Sequence, residues 1–356
     1  MYTDLKTFCV QAQSSLQQAM THMDRNRFGI VLVVDGERRL LGTITDGDIR
    51  RAMLSRIDLE QPVDLLLARK AGTPYATPIT APADADRDTC LNLLQQYRIL
   101  HLPLLDGDQR VVGLVTLDEF IPDQSLPLQA VVMAGGLGSR LHPLTDDTPK
   151  PMLEVGGRPL LEIIIQRLQE AGIRHVTVTM HHKPEKIAQH FGDGKGFGVE
   201  LSYVSEDRPL GTAGGLGLFE APKETTLVIN GDILTQVDFR SMLSFYREHQ
   251  ADLTVAVRHY DLQVPYGVIE CEGPLVRRLR EKPVVGLFVN AGIYLLEPVA
   301  YQFIPNGQRF DMTDLIQRLL TEGRPVVSFP IREYWLDIGD VANYQKALED
   351  ATDVVA

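Results

Sequence analysis

The run VVMAGGLGSRLHPLTDDTPKP, residues 131–151, ends an apolar segment on three glycines, then supplies Arg140 and, ten residues later, Lys150. Glycines directly after a buried strand let backbone N–H groups turn toward an anion with no Cβ in the way. The planar guanidinium of Arg140 matches phosphate oxygens as a fork, and Lys150 adds a point charge. The chemistry indicated is the holding of a phosphate chain. Two commoner phosphate loops are excluded. No Gly-Lys-Ser/Thr follows, so this is not a Walker A loop, and Leu141 stands where a dinucleotide fingerprint needs its third glycine. A tight turn with a surface Arg and Lys is the plainer alternative for a bare GGxG.

Carboxylates form a second group. The apolar run TLVIN ends on Gly231-Asp232, so the carboxylate of Asp232 leaves a strand at its carboxyl end. A hard cation such as Mg²⁺ takes oxygen ligands together with phosphate, and Asp232 suits it. An N-cap or turn aspartate is the alternative. Asp337, in YWLDIGDVANY, is a further candidate, although Asp-Ile-Gly-Asp is also a good helix start. A second glycine-rich segment, EDRPLGTAGGL (206–216), would let a flat base lie against backbone, or would simply be a flexible surface loop. PYGVIE, REKP and FVNAGIYLLEP read individually as a turn, an ion pair of Glu281 with Lys282, and a strand entry at Asn290. His181 and His182, adjacent on a strand, would face opposite sides, and zinc spacings are absent.

These residues need a frame. RPLLEIIIQRLQEAG (158–172) predicts a helix closed by Gly172, and HVTVTM (175–180) a strand. KPEKIAQHFG predicts another helix, and 199–206 and 225–232 two more strands. Such alternation implies an α/β fold with a mainly parallel sheet, whose ligands sit beyond the carboxyl ends of the strands.

The string GGLGSRLHPLTDDTPKPMLEVGGRPLLE closely resembles the signature of sugar-1-phosphate nucleotidyltransferases, among them mannose-1-phosphate guanylyltransferases and glucose-1-phosphate thymidylyltransferases. The likeness runs over about 128–350, and the predicted domain is 128–356. It implies a Rossmann-like, GT-A-like fold. It implies that Ala134, Gly135, Gly136, Gly138 and Ser139 wrap the nucleotide, while Arg140 and Lys150 hold the triphosphate. Gly211 and Thr212 would contact the base, as would Glu206, which stands where some relatives carry Gln. Asp232 and Asp337 would hold Mg²⁺. Gly267, Glu281 and Asn290 would meet the sugar, and Lys282 its phosphate.

The front third is duplicated. VVDGERRLLGTITDGDI (33–49) aligns with LLDGDQRVVGLVTLDEF (104–120), each reading strand, Asp-Gly turn, strand, helix start. This resembles a tandem CBS-domain pair over 1–122, with copies at about 1–56 and 73–122. In such modules Thr45 and Asp48 match a ribose grip for an adenine or guanine nucleotide. Thr116 matches in the second copy, where Glu119 departs from the pattern. TDGD is equally a helix cap, so a structural module that joins copies into a homo-oligomer is the other reading. IPDQSLPLQ (121–129) reads as a linker.

A formal net charge of −12 argues against nucleic acid or acidic membrane surfaces as partners. Three scattered cysteines read as reduced thiols. With no apolar signal core or spanning run, a cytoplasmic enzyme is expected. Its expected reaction joins an NTP to a sugar 1-phosphate (hexose, heptose or amino sugar), releasing pyrophosphate and serving surface-glycan biosynthesis. GTP is favoured, with UTP, CTP or dTTP as alternatives. The contrasting class is a non-catalytic nucleotide-sensing regulator.

Overall fold

The computed structural model describes residues 2–73, 75–120 and 126–354. It divides into two compact units, Met1–Gln124 and Ser125–Ala356. The linker read at 121–129 lies partly outside the described residues, at 121–125.

The first unit holds two three-stranded sheets. One comprises Cys9–Gln11, Ile30–Val34 and Leu40–Thr45; the other comprises Ala81–Pro82, His101–Leu105 and Val111–Thr116. In each, the middle strand pairs parallel with the first and antiparallel with the third. The duplicated Asp explains each turn. Asp35 Oδ1 accepts the N–H groups of Glu37 and Arg39 at 2.9 and 2.8 Å, and Asp106 Oδ1 those of Asp108 and Arg110, both at 2.9 Å. The two turns also bond to each other, Leu40 N–H to Gln109 C=O and Val111 N–H to Arg38 C=O.

The copies then diverge. The first continues into the helix Asp46–Leu54, while the second makes only a 3₁₀ turn, Leu117–Glu119. Asp48 Oδ2 accepts the Thr45 N–H and hydroxyl at 2.8 and 2.9 Å. It also pairs with Lys70 at 2.6 Å, and Asp48 Oδ1 pairs with Arg51 at 2.7 Å. Burial pushes the Asp48 carboxyl up, but Lys70, the Thr45 N–H and Arg51 together hold it below the usual range. In this structure Thr45 and Asp48 therefore cap a helix. Glu119 accepts the Thr116 N–H at 3.1 Å, and the buried Thr116 hydroxyl has no hydrogen-bond partner among the described residues.

One turn along, the fully buried side chain of Arg50 donates from Nε to Asp46 at 2.5 Å. Removing one member of a buried pair takes away part of what offsets the other's burial. Asp46→Ala should therefore destabilise the first unit by about 3 kcal/mol, seen as an earlier urea transition.

The second unit is built on one seven-stranded sheet. Its order is Glu200–Ser205, His175–Met180, Gln129–Met133, Thr226–Asn230, Val284–Leu296, Leu253–Gln263 and Val326–Ile331. Every pairing is parallel except those of Val284–Leu296, which runs against both neighbours. Gln129–Met133 is an interior strand, and from Ala130 onward every residue is buried, the apolar run expected of a strand covered on both faces. Val131, Val228, Tyr294 and Leu296 pack with Met312, Leu315 and Leu319 of the helix Met312–Thr321. Aspartates start the helices: Asp238 accepts from Arg240 and Ser241 N–H, and Asp340 from Asn343 N–H. Among the described residues no helix is long and apolar enough to cross a membrane.

Three local readings change. His181 and His182 follow the strand His175–Met180 and do not lie on it, because the chain turns there to begin the helix Pro184–Phe191. Asn290 sits inside the 13-residue strand Val284–Leu296, not at its entry. Residues 211–218 form a helical turn and a 3₁₀ turn instead of an open surface loop. They are held in place by hydrogen bonds from Ala213 and Gly214 N–H to Phe310 C=O, at 3.0 and 2.8 Å.

Candidate active site

Four neighbouring strands end on one edge of the sheet, and their next residues build the site. Ala134, His181, Glu206 and Gly231-Asp232 follow Met133, Met180, Ser205 and Asn230. Backbone bonds tie these ends together: Ala134 N–H to Thr179 C=O at 2.9 Å, Glu206 N–H to Met180 C=O at 2.7 Å, and Gly231 N–H to Met133 C=O at 2.9 Å.

The glycine loop turns at Gly138, whose φ of +65° favours glycine. A Cβ there would stand 2.8 Å from Thr145 Cγ2 and 3.2 Å from Lys150 Cβ. The Thr145 hydroxyl donates to the Gly138 carbonyl at 2.9 Å, so the glycine turn and the Lys150 segment are clamped together. Lys183 and Lys186 donate to the carbonyls of Asp146 and Asp147, fastening the intervening loop. Lys150, mostly buried, reaches across to pair with Asp232. Ser139 and Arg140 lie in the 3₁₀ turn Ser139–Leu141.

Asp232 and Asp337 arrive from distant parts of the chain. The short strands Ile233–Thr235 and Trp335–Asp337 pair antiparallel, with Ile233 opposite Asp337, and Ile338 N–H donates to Asp232 C=O at 3.0 Å. Burial, and then the charge of Asp232, raises the Asp337 carboxyl above its usual range, while Lys150 and Arg140 pull it back. Arg140 is aimed here too, its Nη2 lying 3.5 Å from where a Gly339 Cβ would stand. Asp337 Oδ1 is buried and has no hydrogen-bond partner among the described residues. Two adjacent carboxylates, one with an orphaned oxygen, beside Arg and Lys, fit a hard divalent cation that keeps water and phosphate as its other ligands. Among the described residues no group of three or more His, Cys, Asp or Glu could hold a metal ion.

Gly211 (φ +82°) presses on Asp311, and Asp311 Oδ1 accepts the Thr212 N–H at 3.0 Å. The Thr212 hydroxyl donates weakly to Asp311 and accepts Met312 N–H at 2.8 Å. Thr212 is thus occupied in docking its segment to the helix Met312–Thr321. Asp311 also caps that helix, and its grip on Thr212 is a long-range contact without a sequence signal.

Asn290 accepts Gly292 N–H at 3.0 Å and bonds to the Tyr294 side chain. Burial raises the Tyr294 hydroxyl to about 12, and the charge of Asp232 adds to the rise. Gly267, Glu281 and Lys282 are exposed beside the hairpin Val268–Glu272 and Leu275–Arg280. There Glu281 Oε2 stands 3.0 Å from a would-be Gly267 Cβ, and Lys282 adopts φ +44°. No hydrogen bond or ion pair given by the structure joins these three to Arg140, Lys150 or the aspartates.

The nucleotidyl transferase family model matches residues 129–354. The chain belongs to that family. The CBS domain model matches twice in front of it, at 3–55 and 75–122. Mannose-1-phosphate guanylyltransferase of Mycobacterium tuberculosis is 33% identical over 231 residues, covering 63% of this chain and 64% of the relative. UTP–glucose-1-phosphate uridylyltransferase of Synechocystis is 31% identical over 242 residues, covering 62% of each. The chain therefore spans less than two thirds of the length of these curated relatives. A solved Bacillus anthracis structure, described as a glucose-1-phosphate thymidylyltransferase in complex with sucrose, superposes with a TM-score of 0.54 at 25% identity. The match covers 64% of this chain and 96% of that one.

Proposed function

We propose that the second unit transfers a nucleotidyl group from an NTP, GTP by preference, to a sugar 1-phosphate. The observation that carries the reading is the convergence of Arg140, Lys150, Asp232 and the half-orphaned Asp337 where the glycine loop ends. Backbone N–H groups of 134–139 and the Arg140 fork hold the triphosphate. A phosphate oxygen of the sugar 1-phosphate attacks the α-phosphorus in line; the new O–P bond forms as the α–β bridge breaks, and pyrophosphate carries off the electron pair. Lys150 and Arg140 neutralise the charge that builds on the moving oxygens. Bound between Asp232 and Asp337, Mg²⁺ would supply further charge neutralisation there. On the acceptor side, Gly267, Glu281 and Asn290 meet sugar hydroxyls and Lys282 the sugar phosphate.

GTP is favoured because the curated relatives include a mannose-1-phosphate guanylyltransferase, although a uridylyltransferase stands beside it. Pyrophosphate release from GTP, UTP, CTP and dTTP, each crossed with mannose, glucose, heptose and amino-sugar 1-phosphates, tests the reading. One GTP pair should exceed all UTP pairs at least tenfold in kcat/KM. No release from any pair removes the catalytic reading.

The CBS pair is read as a nucleotide sensor that also joins copies of the chain. Lys70 and Arg51, gathered on Asp48, are cations within reach of a nucleotide phosphate, and the unpartnered Thr116 hydroxyl marks the second copy. Calorimetry with AMP and ATP on the full chain should show binding that Asp48→Asn weakens at least tenfold. Equal binding by both proteins returns Thr45 and Asp48 to a purely capping role.

A further inference from the structure

Lys183 breaks three local rules at once. It stands at the N-cap position of the helix Pro184–Phe191 with φ +49° and ψ +52°, in the left-handed region. N-caps are normally extended, and they favour Ser, Thr, Asp or Asn, whose side-chain oxygen accepts a helix N–H. Lys183 makes no capping bond from its side chain. A residue before proline is steered to extended backbone, and Pro184 follows directly. A lysine in left-handed backbone carries a strain that glycine or asparagine would largely avoid. Strain of this kind persists where a residue serves something other than its own helix.

What it serves lies at the far end of its side chain. The ammonium of Lys183 donates to the Asp146 carbonyl and lies 3.6 Å from the Asp147 carboxylate. Lys186 donates to the Asp147 carbonyl at 2.5 Å. Both aspartates belong to the segment 141–149, which joins Arg140 to Lys150. Thr145 ties that segment to the glycine turn, and Lys183 ties it from outside. Arg140 is exposed, so its aim depends on the backbone on either side of it. The outer anchor is itself fixed. Lys183 follows the strand His175–Met180 by three residues, and that strand's end is bonded to both neighbours: Thr179 C=O takes the Ala134 N–H and Met180 C=O the Glu206 N–H. Between them, the His181 ring meets the Glu206 carbonyl at 2.8 Å.

We propose that Lys183 is a positioning residue for nucleotidyl transfer, its ammonium fastening the Asp146 carbonyl so that Arg140 and Lys150 keep the spacing a triphosphate requires. The proposal rests on the reading that Arg140 and Lys150 hold an NTP, and it adds the residue that keeps them in register. Lys183 touches no substrate in this role; it acts through the segment between the two cations. The strained backbone is tolerated because it turns this side chain back to that segment and not along its own helix.

Lys183→Asn in the full chain separates this role from a structural one. Asparagine suits left-handed backbone and can cap the helix, so the melting temperature should equal or exceed that of wild type. With the best pair of NTP and sugar 1-phosphate, kcat should nonetheless fall at least tenfold, because a small displacement of a positioning group is enough. The NTP KM should rise while the sugar-phosphate KM stays unchanged. Trypsin should also cut the Arg140–Leu141 bond sooner in the variant, since the segment has lost its outer tether. Wild-type kcat and NTP KM in Lys183→Asn overturn the proposal while the transferase reading stands. So does slow turnover with a lowered melting temperature, which marks Lys183 as a structural residue. A slow variant whose Arg140–Leu141 bond is as protected as in wild type means that Lys183 acts on the substrate itself, and the proposal again fails. If wild type turns over no NTP with any sugar phosphate, the transferase reading falls and takes the proposal with it.

Discussion

Asp232→Asn should leave a folded protein whose turnover is about a thousandfold lower, close to 4 kcal/mol of barrier. The backbone bonds at this position survive the change. Gly231 N–H still reaches Met133, Ile338 N–H still reaches the residue 232 carbonyl, and Ile233 still pairs with Asp337. The side chain keeps its shape and loses its charge. That charge faces Lys150 on one side and Asp337 on the other, so its loss disturbs both the cation that holds phosphate and the carboxylate pair that fits Mg²⁺. Pyrophosphate release at saturating Mg²⁺, with melting curves beside it, is the measurement. A kcat within threefold of wild type would take Asp232 out of the site. A large fall in melting temperature would instead mark it as a structural residue.

What the sequence shows and hides here follows from the range of each interaction. The glycine loop, Arg140, Lys150 and the strand ending at Asp232 are local patterns, read from runs of a few residues and found together at one sheet edge. The duplicated turns of the first unit are equally local, since Asp35 and Asp106 bond to N–H groups two and four residues ahead. Asp337 was ambiguous because Asp-Ile-Gly-Asp is also a helix start. In fact Asp340 caps the helix Val341–Glu349, while Asp337, three residues earlier, pairs across from Ile233. The two readings apply to two different aspartates. What could not be read was Thr212 on Asp311, 99 residues away, or Thr145 locking the glycine turn, because no period or motif encodes which distant side chain will fill a gap. The strand Val284–Leu296, the one reversed strand of the sheet, was similarly invisible: an apolar strand looks the same in either direction.

Gly138→Ala is the sharpest test of the clamp, and turnover should fall about a hundredfold. Two costs combine. At φ +65° a side chain is strained by about 1 kcal/mol. The new methyl also collides with Thr145 Cγ2 at 2.8 Å and crowds Lys150 Cβ at 3.2 Å. The loop can relieve that contact only by moving away from the segment that carries Lys150. A displacement of about 1 Å in a positioning residue is enough for a loss of this size. Overall stability should fall by about 1 kcal/mol, the strain of the backbone. The steric part can be separated from the backbone part. Thr145→Ser removes the offending methyl but keeps the hydroxyl that donates to the Gly138 carbonyl. The double variant Gly138→Ala/Thr145→Ser should therefore recover at least fivefold of the lost kcat, while Thr145→Ser alone stays near wild type. If the double variant is as slow as Gly138→Ala, the loss comes from the backbone conformation, and the spacing between glycine turn and Lys150 is not what the clamp protects. If Gly138→Ala is itself fully active, the N–H groups of this turn do not hold phosphate.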